Sequence, residues 1–223
     1  MSHAILVSDY LANRSRQEVL ALSALIGPLC TSGVLVGSRF IGDGDENALL
    51  PDEITSFGHS IREVRRQSGA ARIIARTLLR QLNVANAAIP RGGSRAPVWP
   101  PGTTGSLAHE RHVAVAAVAR TADVVSVGID IEQAVPLPRD VARHVATPTE
   151  RRRHASSQLN GCRLFVVKEA VYKAVHPIDG VFLNFHDIDV DLDACVAHVT
   201  YGRTVPFALV CGSHIVALAR IDR

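Results

Sequence analysis

Residues 61–82, IREVRRQSGAARIIARTLLRQL, constrain the fold more than any other stretch of the chain. At helical pitch Arg62, Arg65, Arg66, Arg72, Arg76 and Arg80 fall on one side, and Val64, Ala71, Ala75, Leu78 and Leu82 on the other. A helix patterned this way must lay its apolar stripe on a second layer. Strand-like runs lie on both sides of it: GVLVGSRFIG before and HVAVAAVA after. A further helix spans 162–175 and is closed by Pro177 and Gly180. Behind it HDIDVDLD, CVAHVTY, VPFALVC and HIVALARI alternate polar and apolar residues, as in an antiparallel meander. Each half therefore supplies a helix with neighbouring strands. The expected fold is α+β, with two similar lobes over residues 1–122 and 123–223, each an antiparallel sheet packed with helices.

The connections refine this outline. Residues 16–26 look helical, DGDENALLPDE reads as a loop of turn formers, and 136–155 as mixed loop and helix. HVAVAAVA and DVVSVGIDIE are expected to form a hairpin turning at Arg120–Asp123. IPRGGSRAPVWPPGTTGS is too rich in proline and glycine for regular structure, and ordered loops of that length are often functional.

Composition excludes several classes of protein. Hydrophobic content of 47% and charged content of 20% fit a globular chain with a real core. There is no apolar run of membrane length, and the start MSHAILVSDYL lacks the pattern of a signal peptide, so a cytoplasmic location is expected. Cys30, Cys162, Cys195 and Cys211 show no spacing of a zinc site or disulfide framework. A net charge of +3 could suit a phosphate-bearing ligand or an acidic partner, and the lack of arginine tracts interleaved with aromatics counts mildly against a nucleic-acid surface.

The chemistry concentrates in two short stretches. Only two of the 24 Lys and Arg residues are lysine, and both lie in FVVKEAVYKAV, as Lys168 and Lys173 around Glu169. Arginine would serve a surface ion pair equally well, so lysine here suggests a compact cation for a phosphate oxygen. Glu169 and Lys173 are four apart, hence on one helix face. In GIDIE, Asp130 and Glu132 are two apart on a strand and point the same way, with Gly128 leaving room beside them. That pair is either the solvated end of a strand or, joined by Glu169, a magnesium site. Asp187, Asp189, Asp191 and Asp193 share a strand face but lack the turn glycine of a calcium loop, and read as a charged edge strand.

Taken in order, these pieces resemble the 4′-phosphopantetheinyl transferases, in particular the large monomeric group typified by the surfactin and enterobactin enzymes. The first motif is PVWPPGTTGSLAH (97–109), the second VGIDIE (127–132) and the third FVVKEAVYK (165–173). AARIIARTLL (70–79) resembles the arginine-bearing helix of the enterobactin branch, and KAVHPIDGVFLNFHDIDV (173–190) the segment after its third motif. The likeness spans about residues 51–190. Ala108 departs from the Ser or Thr usual before the histidine, which removes one possible phosphate hydrogen bond.

The resemblance implies an enzyme that moves the phosphopantetheine arm of coenzyme A onto a serine of an apo carrier protein, in peptide, polyketide or siderophore assembly. It implies that Asp130, Glu132 and Glu169 hold Mg2+, with Mn2+ a possible substitute. Glu169 would be the base, Lys173 would neutralise the diphosphate, and Asp130 completes the catalytic set. Arg65, Arg72, Arg95, Ser106, His109 and Lys168 would complete the coenzyme A site. The chain would act as a monomer on carriers with an acidic recognition helix. The alternative is a paralogue that binds coenzyme A or a carrier without transferring anything.

Overall fold

A computed structural model describes residues 5–6, 16–57, 60–85 and 87–223. The opening stretch MSHAILVSDYL, read above as lacking a signal peptide, lies outside them apart from its short strand β1 (Ile5–Leu6). Helix α1 (Arg16–Ile26) leads to β2 (Val34–Phe40), α2 (Pro51–Thr55), α3 (Arg62–Gln81), β3 (Thr103–His109) and β4 (Val113–Arg120). Then come β5 (Ser126–Gln133), α4 (Arg139–Val145), α5 (Pro148–Arg153), α6 (Asn160–Asp179), β6 (Ile188–Asp191), β7 (Val196–Val199), β8 (Thr204–Cys211) and β9 (His214–Ile221). The strands make two sheets, ordered β1-β2-β4-β3 and β5-β9-β8-β7-β6.

The two lobes are wired alike. In the first, β2 is followed by the 20-residue α3, then β3 and β4, and β4 inserts between β2 and β3. In the second, β5 is followed by the 20-residue α6, then after β6 and β7 come β8 and β9, and β9 inserts between β5 and β8. The resemblance extends to a buried clasp. Pro51 opens α2 and Pro148 opens α5, and two residues on, Glu53 and Glu150 bend back to accept the amides of Leu50 and Thr147, each at 2.8 Å. Each carboxylate is fully buried and holds a cation of the long helix, Arg76 for Glu53 and Lys168 for Glu150. This P-x-E pair is an internal repeat too short to stand out in the sequence.

Period-two alternation shows how the layers stack. Val113, Val115, Ala117 and Ala119 of β4 face the second sheet, while Ala114, Ala116 and Val118 face α3. A strand buried on both faces reads as a continuous apolar run, which is why HVAVAAVA lacks alternation. In β5, Val127, Ile129 and Ile131 join the core between the sheets. Gly128, Asp130 and Glu132 therefore face the α6 side.

Several expectations change. β4 and β5 do not form a hairpin: β4 already has β2 and β3 on its two edges, and β5 pairs with β9 along its whole length. The turn closed by the Asp123 and Val124 amides on the Arg120 carbonyl carries the chain from one sheet to the other. Thr103–Ser106, expected in the irregular loop, starts β3 instead. Residues 45–48 and 51–55 are short helices within the expected loop. Pro177 lies inside α6, and the helix ends at Gly180 in the left-handed region (φ 66°). The charged strand β6 is an edge strand, as its aspartates suggest.

Candidate active site

The site forms where the edge strands β3 and β5 adjoin, beside α6, which packs on β5. Its placement depends on Gly128. A Cβ there would lie 1.9 Å from the Ala170 carbonyl oxygen and 2.6 Å from the Ala174 nitrogen, so the space expected beside the carboxylates is filled by the α6 backbone. That close approach brings Glu169 and Lys173 to the carboxylate face of β5. Lys173 Nζ donates to Asp130 Oδ1 at 2.6 Å and to the Ile129 carbonyl at 3.3 Å.

Asp130 is buried and Glu132 and Glu169 are half-buried. Burial raises the Asp130 pKa, which Lys173 partly pulls back. Burial and then the Asp130 charge raise both Glu132 and Glu169, and Glu110 adds to the repulsion on Glu132. Like charges raising one another in a desolvated pocket identify one electrostatic cluster. Among the described residues neither Glu132 nor Glu169 has an ion-pair partner, and no three His, Cys, Asp or Glu side chains are gathered tightly enough to cage a metal. The donor set is nevertheless all hard oxygen, the type that magnesium takes.

A cation-rich hollow lies on the first lobe. This hollow, of about 130 Å3, is lined by Ser68, Arg72, Arg91, Arg95, Leu107 and His109, among others. The arginine side of α3 is enclosed only in part: Arg62 and Arg80 are exposed, Arg65, Arg66 and Arg76 half-buried, and Arg72 buried. Arg72 is 3% exposed, and its Nε donates to the Ile89 carbonyl at 2.8 Å and one terminal nitrogen to the Ser68 carbonyl at 3.2 Å. Burial lowers its pKa to about 10, which leaves it charged. Arg76 is tied to Glu53 at 2.9 and 3.0 Å. Arg95 sits at φ 66°, unusual for a residue with a side chain, at the loop's tight turn. His109 is crowded by the cleft walls, and that desolvation, then Lys173 and Arg91, lowers its pKa. By surface area the residue as a whole is nonetheless exposed to solvent.

Two larger cavities continue from this hollow. One of about 290 Å3 lies between the Pro/Gly loop with Trp99, Ser106 of β3, and Lys173 and His176 of α6. It shares Arg95, Pro97 and Leu107 with the arginine hollow. The other, about 610 Å3, is lined by Glu169, Tyr172, Phe182, Leu183, Phe185 and Ile188, among others, and shares Tyr172 with the middle one.

The structure thus brings together Arg72, Arg95, Ser106, His109, Asp130, Glu132, Glu169 and Lys173. Two residues expected with them are placed differently. Arg65 lines an outer hollow with Glu46, Asn47, Ile54 and Arg62. Lys168 is 1% exposed and donates to Glu150 Oε2 at 2.7 Å, the Val145 carbonyl at 2.9 Å and the Phe185 carbonyl at 2.7 Å. Lys168 also lines the 610 Å3 cavity beside Glu169, but these three contacts engage all its ammonium protons and fasten α6 to its surroundings. Ala108 faces the core between the sheets, opposite Leu107 and His109, so no hydroxyl is missing from the hollow.

Sequence reasoning missed Arg91, Trp99 and Glu110. Glu110 is buried. The His214 contact and the His112 and Val113 amides outweigh desolvation and hold its pKa at about 2. It follows His109 directly, and that adjacency was the available signal. Arg91 and Trp99 flank the turn of a loop already suspected of function, but one sequence offers no way to rank its members.

The family model for the 4′-phosphopantetheinyl transferase N-terminal domain matches residues 52–119, and that for the 4′-phosphopantetheinyl transferase superfamily matches residues 126–219. The chain is 32% identical over 199 residues to 4′-phosphopantetheinyl transferase Svp of Streptomyces mobaraensis, covering 86% of this chain and 81% of that one. It is 36% identical to 4′-phosphopantetheinyl transferase PptT of Mycobacterium tuberculosis over 74% of each chain. It is 30% identical to Enterobactin synthase component D of Escherichia coli over 69% of this chain and 76% of that one. The two family matches divide where the chain passes from one sheet to the other, and the relatives extend across both. This chain belongs to the 4′-phosphopantetheinyl transferase superfamily.

Proposed function

We propose that this protein transfers the 4′-phosphopantetheine arm of coenzyme A to a serine of an apo carrier protein, releasing adenosine 3′,5′-bisphosphate. The observation that supports this reading is the run of three neighbouring cavities that share lining residues. Arginines come first, then a pocket with Trp99 and Lys173, then an apolar pocket beside Glu169. Coenzyme A presents its parts in the same order: 3′-phosphate, adenosine, diphosphate and a long amide arm.

Asp130, Glu132 and Glu169 would hold a divalent cation, magnesium or manganese. When bound it supplies charge neutralisation on the diphosphate and relieves the repulsion among these carboxylates. Arg72, Arg91, Arg95 and His109 bind the 3′-phosphate. Lys173 hands its charge from Asp130 to a diphosphate oxygen as the bond breaks. The carrier serine Oγ attacks the phosphorus that bears the arm and loses its proton to Glu169, and the bond from that phosphorus to the adenosine 5′-phosphate oxygen breaks. Both walls of the cavity run come from one chain, which supports action as a monomer. A cytoplasmic location is part of this proposal; no helix among the described residues is long and apolar enough to cross a membrane. Carrier domains of peptide, polyketide or siderophore assembly lines are the proposed partners.

The test is the intact mass of an apo carrier domain incubated with the protein, coenzyme A and magnesium. A gain equal to the phosphopantetheine arm, abolished by EDTA, is expected. No gain across several carrier types while coenzyme A still binds would favour a binding paralogue.

A further inference from the structure

Phe57 lies two residues past the end of α2, 4% exposed, beneath the arginine hollow. Its ring carries two cations: the guanidinium carbon of Arg91 is 4.1 Å from the ring centroid and that of Arg72 is 5.1 Å away. Both arginines line the hollow. Two positive charges in so small a space repel, and Arg91 is among the groups that lower the Arg72 pKa. Glu53 relieves part of this for Arg72, but it is shared with Arg76 and the Ile89 amide. The Arg72 Nε is 3.7 Å from Glu53 Oε1, and among the described residues Arg91 has no carboxylate partner. Neutral oxygens do the remaining holding: Ile89 and Ser68 carbonyls for Arg72, and the Ser68 hydroxyl at 3.5 Å for Arg91. A ring face attracts a cation without neutralising it, so the charge stays available to a ligand.

We propose that Phe57 is the positioning residue that holds the Arg72 and Arg91 guanidiniums together in the hollow, and so sets a preference for coenzyme A over dephospho-coenzyme A. This rests on the coenzyme A reading above. An acidic side chain in the same place would cancel the field that the 3′-phosphate needs, and an aliphatic one would let the two cations splay apart. The aromatic ring does neither.

The experiment compares calorimetric dissociation constants for coenzyme A and dephospho-coenzyme A in the wild-type protein, Phe57→Leu and Phe57→Tyr. Leucine keeps an apolar side chain but removes the ring; tyrosine keeps the ring. Phe57→Leu should weaken coenzyme A binding about five- to thirtyfold, the loss of two cation–ring contacts, and leave dephospho-coenzyme A within about twofold. Phe57→Tyr should retain most of the preference. Because the two ligands are compared within one protein, a lower folded fraction cancels. Equal weakening for both ligands would make Phe57 a packing residue and overturn the proposal, as would a preference unchanged in Phe57→Leu. A wild-type protein that binds both ligands alike would instead remove the 3′-phosphate site itself.

Discussion

Gly128→Ala tests whether the approach of α6 to β5 sets the active site. The added methyl would stand 1.9 Å from the Ala170 oxygen and 2.6 Å from the Ala174 nitrogen. Both atoms are main chain in the middle of a 20-residue helix, so no side-chain rotation relieves the clash. To reach the 3.0 Å below which real Cβ contacts are essentially never found, α6 must move by about 1 Å or more, carrying Glu169 and Lys173 with it. The Lys173–Asp130 contact of 2.6 Å then opens. Overpacking of this kind costs about 1–3 kcal/mol, and a misplacement of about 1 Å in a positioned site costs on the order of 100-fold in rate. Urea denaturation and carrier transfer kinetics measure the two effects. The expected result is a folded protein of reduced urea midpoint whose transfer rate falls far more than its folded fraction. Gly27→Ala, where a Cβ meets nothing within 4 Å, is the control. Wild-type midpoint and rate in Gly128→Ala would refute the reasoning, since the site would not depend on this contact.

Three other outcomes follow from the geometry. Lys168→Met leaves the Glu150 carboxylate buried without its cation and should cost about 3–5 kcal/mol in denaturant stability, while the folded protein keeps its coenzyme A affinity. A weaker affinity at unchanged stability would mean that Lys168 meets the cofactor after all. Glu169→Gln should abolish transfer with the urea midpoint maintained or raised, because a repelled charge is removed; measurable turnover would take the base role from Glu169. Asp130, Glu132 and Glu169 have folded pKa values raised from 3.8 or 4.5. The folded state therefore binds their protons more tightly, and their contribution to stability falls as pH rises from those unfolded values through the raised folded ones. Added magnesium should raise the midpoint above that window and have little effect below it. A magnesium response that is the same at both pH values would contradict a site built on ionised carboxylates.

Much of the site could be read from sequence because its spacing is local. Asp130 and Glu132 share a strand face through period two, and Glu169 and Lys173 share a helix face through a four-residue step. Those periodicities, with the amphipathic pattern of α3 and the alternating tail, determined the element types, the α+β class and the candidate chemistry. Pairing between elements is not local, and the tertiary structure alone decided it. β5 pairs with β9 across the sequence rather than with adjacent β4, because β4 had no free edge. Lys168 and Lys173 look equivalent five residues apart, yet α6 buries one on Glu150 and turns the other toward Asp130. Arg72 and Arg65 lie on one arginine stripe, but the Pro/Gly loop and Phe57 enclose only the first. A helix period tells which residues share a face; what covers that face depends on distant segments of the chain.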